Sequence, residues 1–256
     1  AEFEGATRAP GYLQWRATSV VAQSQAGYSV VHIRLSLGDV TPAQLRAVAT
    51  VSRGFGDGTV RATLEQNLML RFVPNGRLPA LHKALSAHGL ALAGAATVVD
   101  VTTCPGAESC ALAVTASRQL GTSISTRLEA LTGEGAAALE AAKTAAIKIS
   151  GCPNSCGQHH VADLGWHGAV KRVGDKTAPV YQLHLGGGVD GAEGATFGRQ
   201  VIKVPARRVA EAVERMLLMF ARERSAGETP RAFYRRVDAE RVQALRDQGL
   251  QVQLVS

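Results

Sequence analysis

All four cysteines of this chain fall in two tight pairs, Cys104 and Cys110 in TTCPGAESC, and Cys152 and Cys156 in GCPNSCGQHH. The spacings are C-x5-C and C-x3-C, and a proline follows the first member of each pair. This pattern constrains the chain more than any other feature, because two thiolate pairs that meet in space make a four-sulfur site for zinc or an iron-sulfur cluster. Structural zinc favours spacings of two to four residues in both pairs, which C-x5-C does not match. A 4Fe-4S cube is itself sulfur-rich and accepts wider, mixed spacings. Spacing therefore favours a cluster and leaves zinc and unconnected thiols open. Four cysteines in 256 residues are too few for a disulfide scaffold.

The surrounding pattern places both pairs at the carboxyl ends of strands. AATVVDVTT (95–103) reads as a buried strand leading to Cys104, and AAIKIS (145–150) as a short strand leading to Cys152. GAESCALAVTASRQL (106–120) reads as a helix with Cys110 in its first turns, so its partial positive end faces a bound anionic cluster. Pro153, Asn154 and Gly157 make the second pair a loop.

Before residue 92 the chain reads as βαββα. SVVHIRLSL (29–37) alternates Val31, Ile33 and Leu35 with polar residues, the period of a half-buried strand. Thr41, Pro42 and Gln44 form the N-cap, first position and capping box of a helix that buries Leu45 and Val48. VRATLEQNLMLRFV (60–73) is a strand, a kink at 65–67 and a second strand, and RLPALHKALSAHG (77–89) is a helix ended by Gly89. Further on, 161–173 and 178–189 read as strands joined through a Gly-Asp turn. KVPARRVAEAVERMLLMFARER (203–224) reads as an amphipathic helix with Met216 and Phe220 in the core, and TPRAFYRRV and DAERVQALRDQG as short closing helices. The expected division is a half-domain with an N-terminal extension over 1–92 and a cluster domain over 93–256.

Composition narrows the function classes. At 46% hydrophobic and 19% charged the chain has the material for a core, and no run of apolar residues reaches the roughly 18 needed to span a bilayer. With no signal-peptide pattern, the expected location is the cytoplasm. The net charge of +7 is scattered and aromatic residues are 5%, which disfavours nucleic acid and fits an anionic cofactor, oxyanion or acidic partner. The chain opens on Ala1, as a processed product or a fragment does. His159 and His160 invite a ligand reading, but with four thiolates present packing is the expectation. His32, His82, His88, His167 and His184 show no cluster of partners in the sequence.

CPGAESC together with GCPNSCGQHHVADLG resembles the cluster motif of the siroheme-containing nitrite and sulfite reductases. GYSVVHIRLSLGDVTPAQLRAVA and VRATLEQNLMLRFV resemble the ferredoxin-like half-domain that precedes the cluster domain in the second half of those enzymes. The likeness covers roughly residues 25 to 240. It implies an α+β chain in which a ferredoxin-like half-domain is followed by an α/β cluster domain. It implies that Cys104, Cys110, Cys152 and Cys156 ligate a 4Fe-4S cluster and that Cys156 also bridges to the siroheme iron. Asn154 and the set Arg61, Thr63, Gln66 and Asn67 are then siroheme contacts. Siroheme carries eight carboxylates, which suit a basic, amide-rich surface.

The activity implied is six-electron reduction of nitrite to ammonium or sulfite to sulfide, with electrons from a donor such as ferredoxin or a flavoprotein. SCGQ and VADLG lean towards the nitrite enzymes and CPGAESCALAVT towards the sulfite enzymes. The family is built from two pseudo-symmetric copies, and its oxyanion-gripping arginines and lysines lie in the first. This chain is expected to need that missing N-terminal half, where the catalytic residues are expected to lie. The rival readings are a precorrin-3B synthase-like cluster enzyme acting on a tetrapyrrole, a lone electron-transfer domain and a zinc-binding module.

Overall fold

The computed structural model describes residues 11–189 and 194–247. The first ten residues of the expected N-terminal extension and the last two residues of DAERVQALRDQG lie outside them. The chain divides into two compact units, residues 1–100 and 101–256.

Unit 1 holds α1 (Tyr12–Ser19), β1 (Val20–Ala22), β2 (Tyr28–Ile33), α2 (Pro42–Phe55), β3 (Arg61–Ala62), β4 (Leu68–Pro74) and α3 (Leu78–Ser86). The strands form one antiparallel sheet in the order β1-β2-β4-β3. The βαββα expectation holds, and the kink between β3 and β4 is a turn with Gln66 at φ 65°. α1 and β1 were not anticipated, although Tyr12, Trp15 and Ser19 recur at helical spacing and are all buried.

α2 carries the expected capping box, with the Thr41 hydroxyl accepting from Gln44 N–H and the Gln44 side chain accepting from Thr41 N–H. Its buried stripe is Ala47, Val48, Val51 and Ser52; Leu45 is 47% exposed, contrary to expectation. At about 100° per residue, position 45 falls roughly 90° from the middle of the face made by Ala47, Val48, Val51 and Ser52, at the solvent edge of the stripe.

The segment 95–103 is not a strand until its end. Turns bonded Thr97 N–H to Gly94 O and Asp100 N–H to Thr97 O occupy it, and only Thr102–Thr103 pair. Arg34 explains this, because its guanidinium donates to the carbonyls of Ala93 (3.0 Å) and Val99 (2.7 Å) and pairs with Asp100. The carbonyls are thereby drawn from any ladder, and residues 93–100 stay with unit 1.

Unit 2 is built on a five-stranded mixed sheet: β5 (Thr102–Thr103), β6 (Ile147–Ser150), β7 (Leu164–Val173), β8 (Lys176–Leu185) and β9 (Arg199–Pro205). The pairs β5-β6 and β6-β7 are parallel, whereas β7-β8 and β8-β9 are antiparallel. Between β5 and β6 run α4 (Ser117–Glu129) and α5 (Gly133–Ala141), and after β9 come α6 (Val209–Glu223), α7 (Pro230–Arg236) and α8 (Ala239–Asp247).

α6 buries Val209, Val213, Met216, Leu217 and Phe220, as its periodicity predicts. Its start differs from expectation: 199–205 is strand, with Ile202 and Val204 buried around exposed Lys203, a period of two rather than 3.6. No helix among the described residues is long and apolar enough to cross a membrane.

Removal of the cap hydroxyl in Thr41→Ala is expected to destabilise unit 1 by about 1 kcal/mol. Urea titration of the variant against the parent chain measures this, with an unchanged m-value.

Candidate functional site

The first cysteine loop leaves β5 directly. Cys104 N–H donates to Ile149 O at 3.0 Å, extending the β5-β6 pairing by one residue and seating the sulfur in the interior. That sulfur accepts from Gly151 N–H at 3.1 Å and lies 3.3 Å from Ser117 Oγ, while Ser117 donates to Cys104 O.

Residues 106–116 are not the expected helix. A short 3-10 turn, Gly106–Glu108, is followed by turns bonded Cys110 N–H to Gly106 O and Ala113 N–H to Cys110 O. The α-helix begins at Ser117. The cause is long-range: Val114 N–H (3.0 Å), Thr115 N–H (3.2 Å) and Thr115 Oγ1 (3.2 Å) all donate to the carbonyl of Gly151. Donors that a helix would turn inward are thus committed to the residue beside Cys152. Cys110 is consequently exposed in a loop, and the helix whose start lies by Cys104 is α4.

The second loop leaves β6 at Gly151. Ser155 and Gln158 take φ near 60° (59° and 60°), and Gly157 N–H donates to Ser150 Oγ at 3.1 Å. Cys152 is buried, while Asn154 and Cys156 are exposed.

Four glycines let the loops nest. A Cβ at Gly106 would overlap Ser117, and one at Gly151 would lie 2.8 Å from Thr115 O and 3.0 Å from Gly106 Cα. One at Gly157 would overlap Ile149 O, and one at Gly168 would overlap Thr115 Oγ1 and Gly151 O. All four cysteines are free thiols on two loops clasped to each other. The donor set suits a 4Fe-4S cluster, with a backbone N–H already aimed at one sulfur. It suits a single zinc less well. Tetrahedral thiolates about 2.3 Å from zinc lie under about 4 Å apart. Among the described residues, the group of three ligand atoms mutually within 4.8 Å is made of histidines, not cysteines.

Two sequence profiles match this chain. The nitrite/sulfite reductase ferredoxin-like half domain matches residues 21–88, and the nitrite and sulphite reductase 4Fe-4S domain matches residues 94–252. The chain belongs to the nitrite and sulfite reductase family.

Among its relatives in the family is ferredoxin–nitrite reductase of Synechococcus elongatus, 30% identical over 72% of this chain and 35% of the relative. Sulfite reductase (ferredoxin) 1 of Mycolicibacterium paratuberculosis is 30% identical over 86% of this chain and 40% of the relative. The solved NirA protein of Mycobacterium tuberculosis superposes with a TM-score of 0.73 at 26% identity, covering 88% of this chain and 41% of that one. The chain thus spans well under half the length of these family members.

The set in unit 1 is held more tightly than its polar character implies. Asn67 is buried, its Oδ1 accepting from Leu35 N–H (2.8 Å) and its Nδ2 donating to Asp100 (2.6 Å). Thr63 closes the β3-β4 turn with Asn67, and Arg61 is exposed with a bond to Thr59. Asn67 therefore shapes the turn from inside, whereas Arg61 faces solvent.

The histidines depart most from the sequence reading. His167 and His184, expected to stand alone, are buried and share a 2.8 Å ring-to-ring bond. His159 is fully buried against them with half-buried His160 alongside. The only signal in the sequence was the adjacent pair at 159 and 160. Burial first, then the neighbouring histidines 184, 160 and 167, lowers His159 to about 3. Burial and then His167 lower His184 to about 4, with the Gly198 backbone acting in the opposite sense. Burial, then His160 and Lys203, lower His167.

Both the loop packing and the histidines have measurable consequences. Gly157→Ala is expected to push the second loop off Ile149 and to lower the iron retained per chain after anaerobic reconstitution, while Pro153→Ala leaves it near the parent value. For the histidines, the folded pKa values lie below the ordinary 6.5, so the unfolded chain binds more protons between about pH 6.5 and about 4. Stability rises with pH across that window and is lost as acid is added. Thermal unfolding in chelator-containing buffer should show the midpoint falling through this range, with a shallower fall in His184→Gln.

Proposed function

We propose that this chain is the C-terminal, cluster-bearing half of a siroheme-dependent reductase that converts nitrite to ammonium or sulfite to sulfide by six-electron reduction. The observation that carries the reading is the clasp of the two cysteine loops on the Gly151 carbonyl, in a domain of the nitrite and sulfite reductase family. In this reading Cys104, Cys110, Cys152 and Cys156 ligate a 4Fe-4S cluster, and Cys156 is also the bridge to siroheme. When bound, the cluster would supply single electrons and the siroheme iron would supply the site at which the oxyanion is reduced.

The chain's own residues divide the remaining work. Cys104 and Cys152 keep two thiolates away from solvent, and the Gly151 N–H stabilises the negative charge on Cys104. Exposed Cys156 and Asn154 stand on the outer side of the second loop, where a tetrapyrrole can be reached. Within unit 1, the family resemblance assigns Arg61, Thr63, Gln66 and Asn67 to the same cofactor, and buried Asn67 also supports their turn. The oxyanion-gripping cations belong to the other half. Ferredoxin, named for both curated relatives, is the proposed electron donor, and the cytoplasm the proposed location.

The test is anaerobic production of the chain with and without the other half of the enzyme, read by absorption, iron and sulfide content and reductase assay. The expected result is a cluster in the chain alone and siroheme bands with nitrite or sulfite reduction only in the pair. Cys110→Ser should lose the cluster. Cys156→Ser should also abolish turnover in the paired enzyme. A colourless chain with stoichiometric zinc, or a paired enzyme with no siroheme, overturns the assignment.

A further inference from the structure

The segment that follows the second cysteine loop is pressed onto the sheet of unit 2. A Cβ at Gly165 would overlap His159 O and one at Gly187 would overlap His160 O, so these two glycines let the His159-His160 backbone lie flat on β7 and on the turn after β8. Gly198 N–H donates to His160 O at 2.7 Å and fixes its position. From the sheet itself come His167 on β7 and His184 on β8. Gly165 is the register partner of His184, so His167 sits two residues along from it and the two side chains share a face. A 17-residue separation in sequence becomes a 2.8 Å bond between His167 Nδ1 and His184 Nε2.

Each of the two innermost rings has one nitrogen held and one bare. His159 Nδ1 is 2.9 Å from Ser150 Oγ, and His159 Nε2 is buried with no hydrogen-bond partner. His184 Nε2 is held by His167, and His184 Nδ1 is likewise buried without a partner. His159 and His184 are 0% and 1% exposed. A ring nitrogen from each of His159, His160 and His184 lies within 4.8 Å of the others. Two imidazole nitrogens that make no full hydrogen bond in one buried cluster are costly as pure packing, and at His184 the Gly198 backbone offsets only part of that cost.

From this arrangement we infer that His159, His160 and His184 form a binding site for a divalent first-row transition metal such as zinc, separate from the four cysteines. The second shell fits that role: a ligating histidine usually hands its other ring N–H to an oxygen or nitrogen acceptor that fixes its tautomer. Here Ser150 Oγ takes that part for His159 and His167 Nδ1 for His184. Three imidazoles suit zinc, copper or nickel better than calcium or magnesium, and leave a coordination position for water or a small ligand. Ligand nitrogens about 2.0–2.1 Å from zinc stand roughly 3.3 Å apart, so the site tightens on binding. Half-buried His160, whose outer neighbour among the described aromatic rings is exposed Phe197, is the least enclosed of the three rings and the one that would shift.

The experiment is zinc titration of the full chain in a Cys110→Ser/Cys156→Ser background, which removes the two exposed thiols, read by calorimetry and by elemental analysis after gel filtration. One tightly bound zinc per chain is expected. Adding His160→Gln or His184→Gln should abolish stoichiometric binding, and His167→Gln should weaken it about 10- to 100-fold. Circular dichroism reports folding of each variant, and His160→Gln, at a half-buried position, decides the question should the His184 variant unfold. Absence of bound zinc in the background chain, or binding undiminished by His160→Gln in a folded chain, overturns the site.

Discussion

The carbonyl of Gly151 is the interaction on which the rest of the candidate site depends. It accepts from Val114 N–H, Thr115 N–H and Thr115 Oγ1, more donors than its two lone pairs take singly, and so binds the whole first loop to the root of the second. The same residue's N–H faces Cys104 Sγ. One glycine peptide thus ties both loops together and begins to neutralise one thiolate. A side chain at 151 would press on Thr115 O and Gly106 Cα, so the clasp requires glycine on steric grounds.

The sheet supplies the fixed platform for this clasp. β5 and β6 run parallel and end at the same level, so Cys104 and Gly151 emerge side by side. Gly168 on β7, next to the register partner of Ser150, leaves room for the Thr115 hydroxyl to reach the carbonyl. Parallel strands with loops at their carboxyl ends are a recurrent place for bound groups, because the loops converge while the strands hold them rigid.

The histidine cluster grows from the same construction. Ser150 closes β6, accepts from Gly157 N–H in the cysteine loop and touches His159 Nδ1. A single hydroxyl therefore connects the geometry of the second cysteine loop to the orientation of a buried imidazole. Burial keeps His159 and His184 unprotonated, which is the state in which a ring nitrogen has a lone pair to give.

By itself the sequence determined whatever depends on neighbours a few residues apart. The Thr41-Gln44 capping box, the alternation of β2, the stripe of α6 and the strand-end position of both cysteine pairs are local patterns, and so legible. The cysteine spacing itself pointed to a shared site. Tertiary structure alone decided what depends on distant partners. The stretch 106–116 has helix-forming residues, yet its donors go to Gly151, 36 residues from Thr115. The stretch 95–101 has strand-forming valines, yet Arg34 holds the Val99 carbonyl, and that of Ala93 just before the stretch, away from any ladder. His167 and His184 meet only because a hairpin brings β7 and β8 together in one register. In each case a long-range hydrogen bond or a register, which no local pattern encodes, outweighs a propensity worth only a fraction of a kcal/mol per residue.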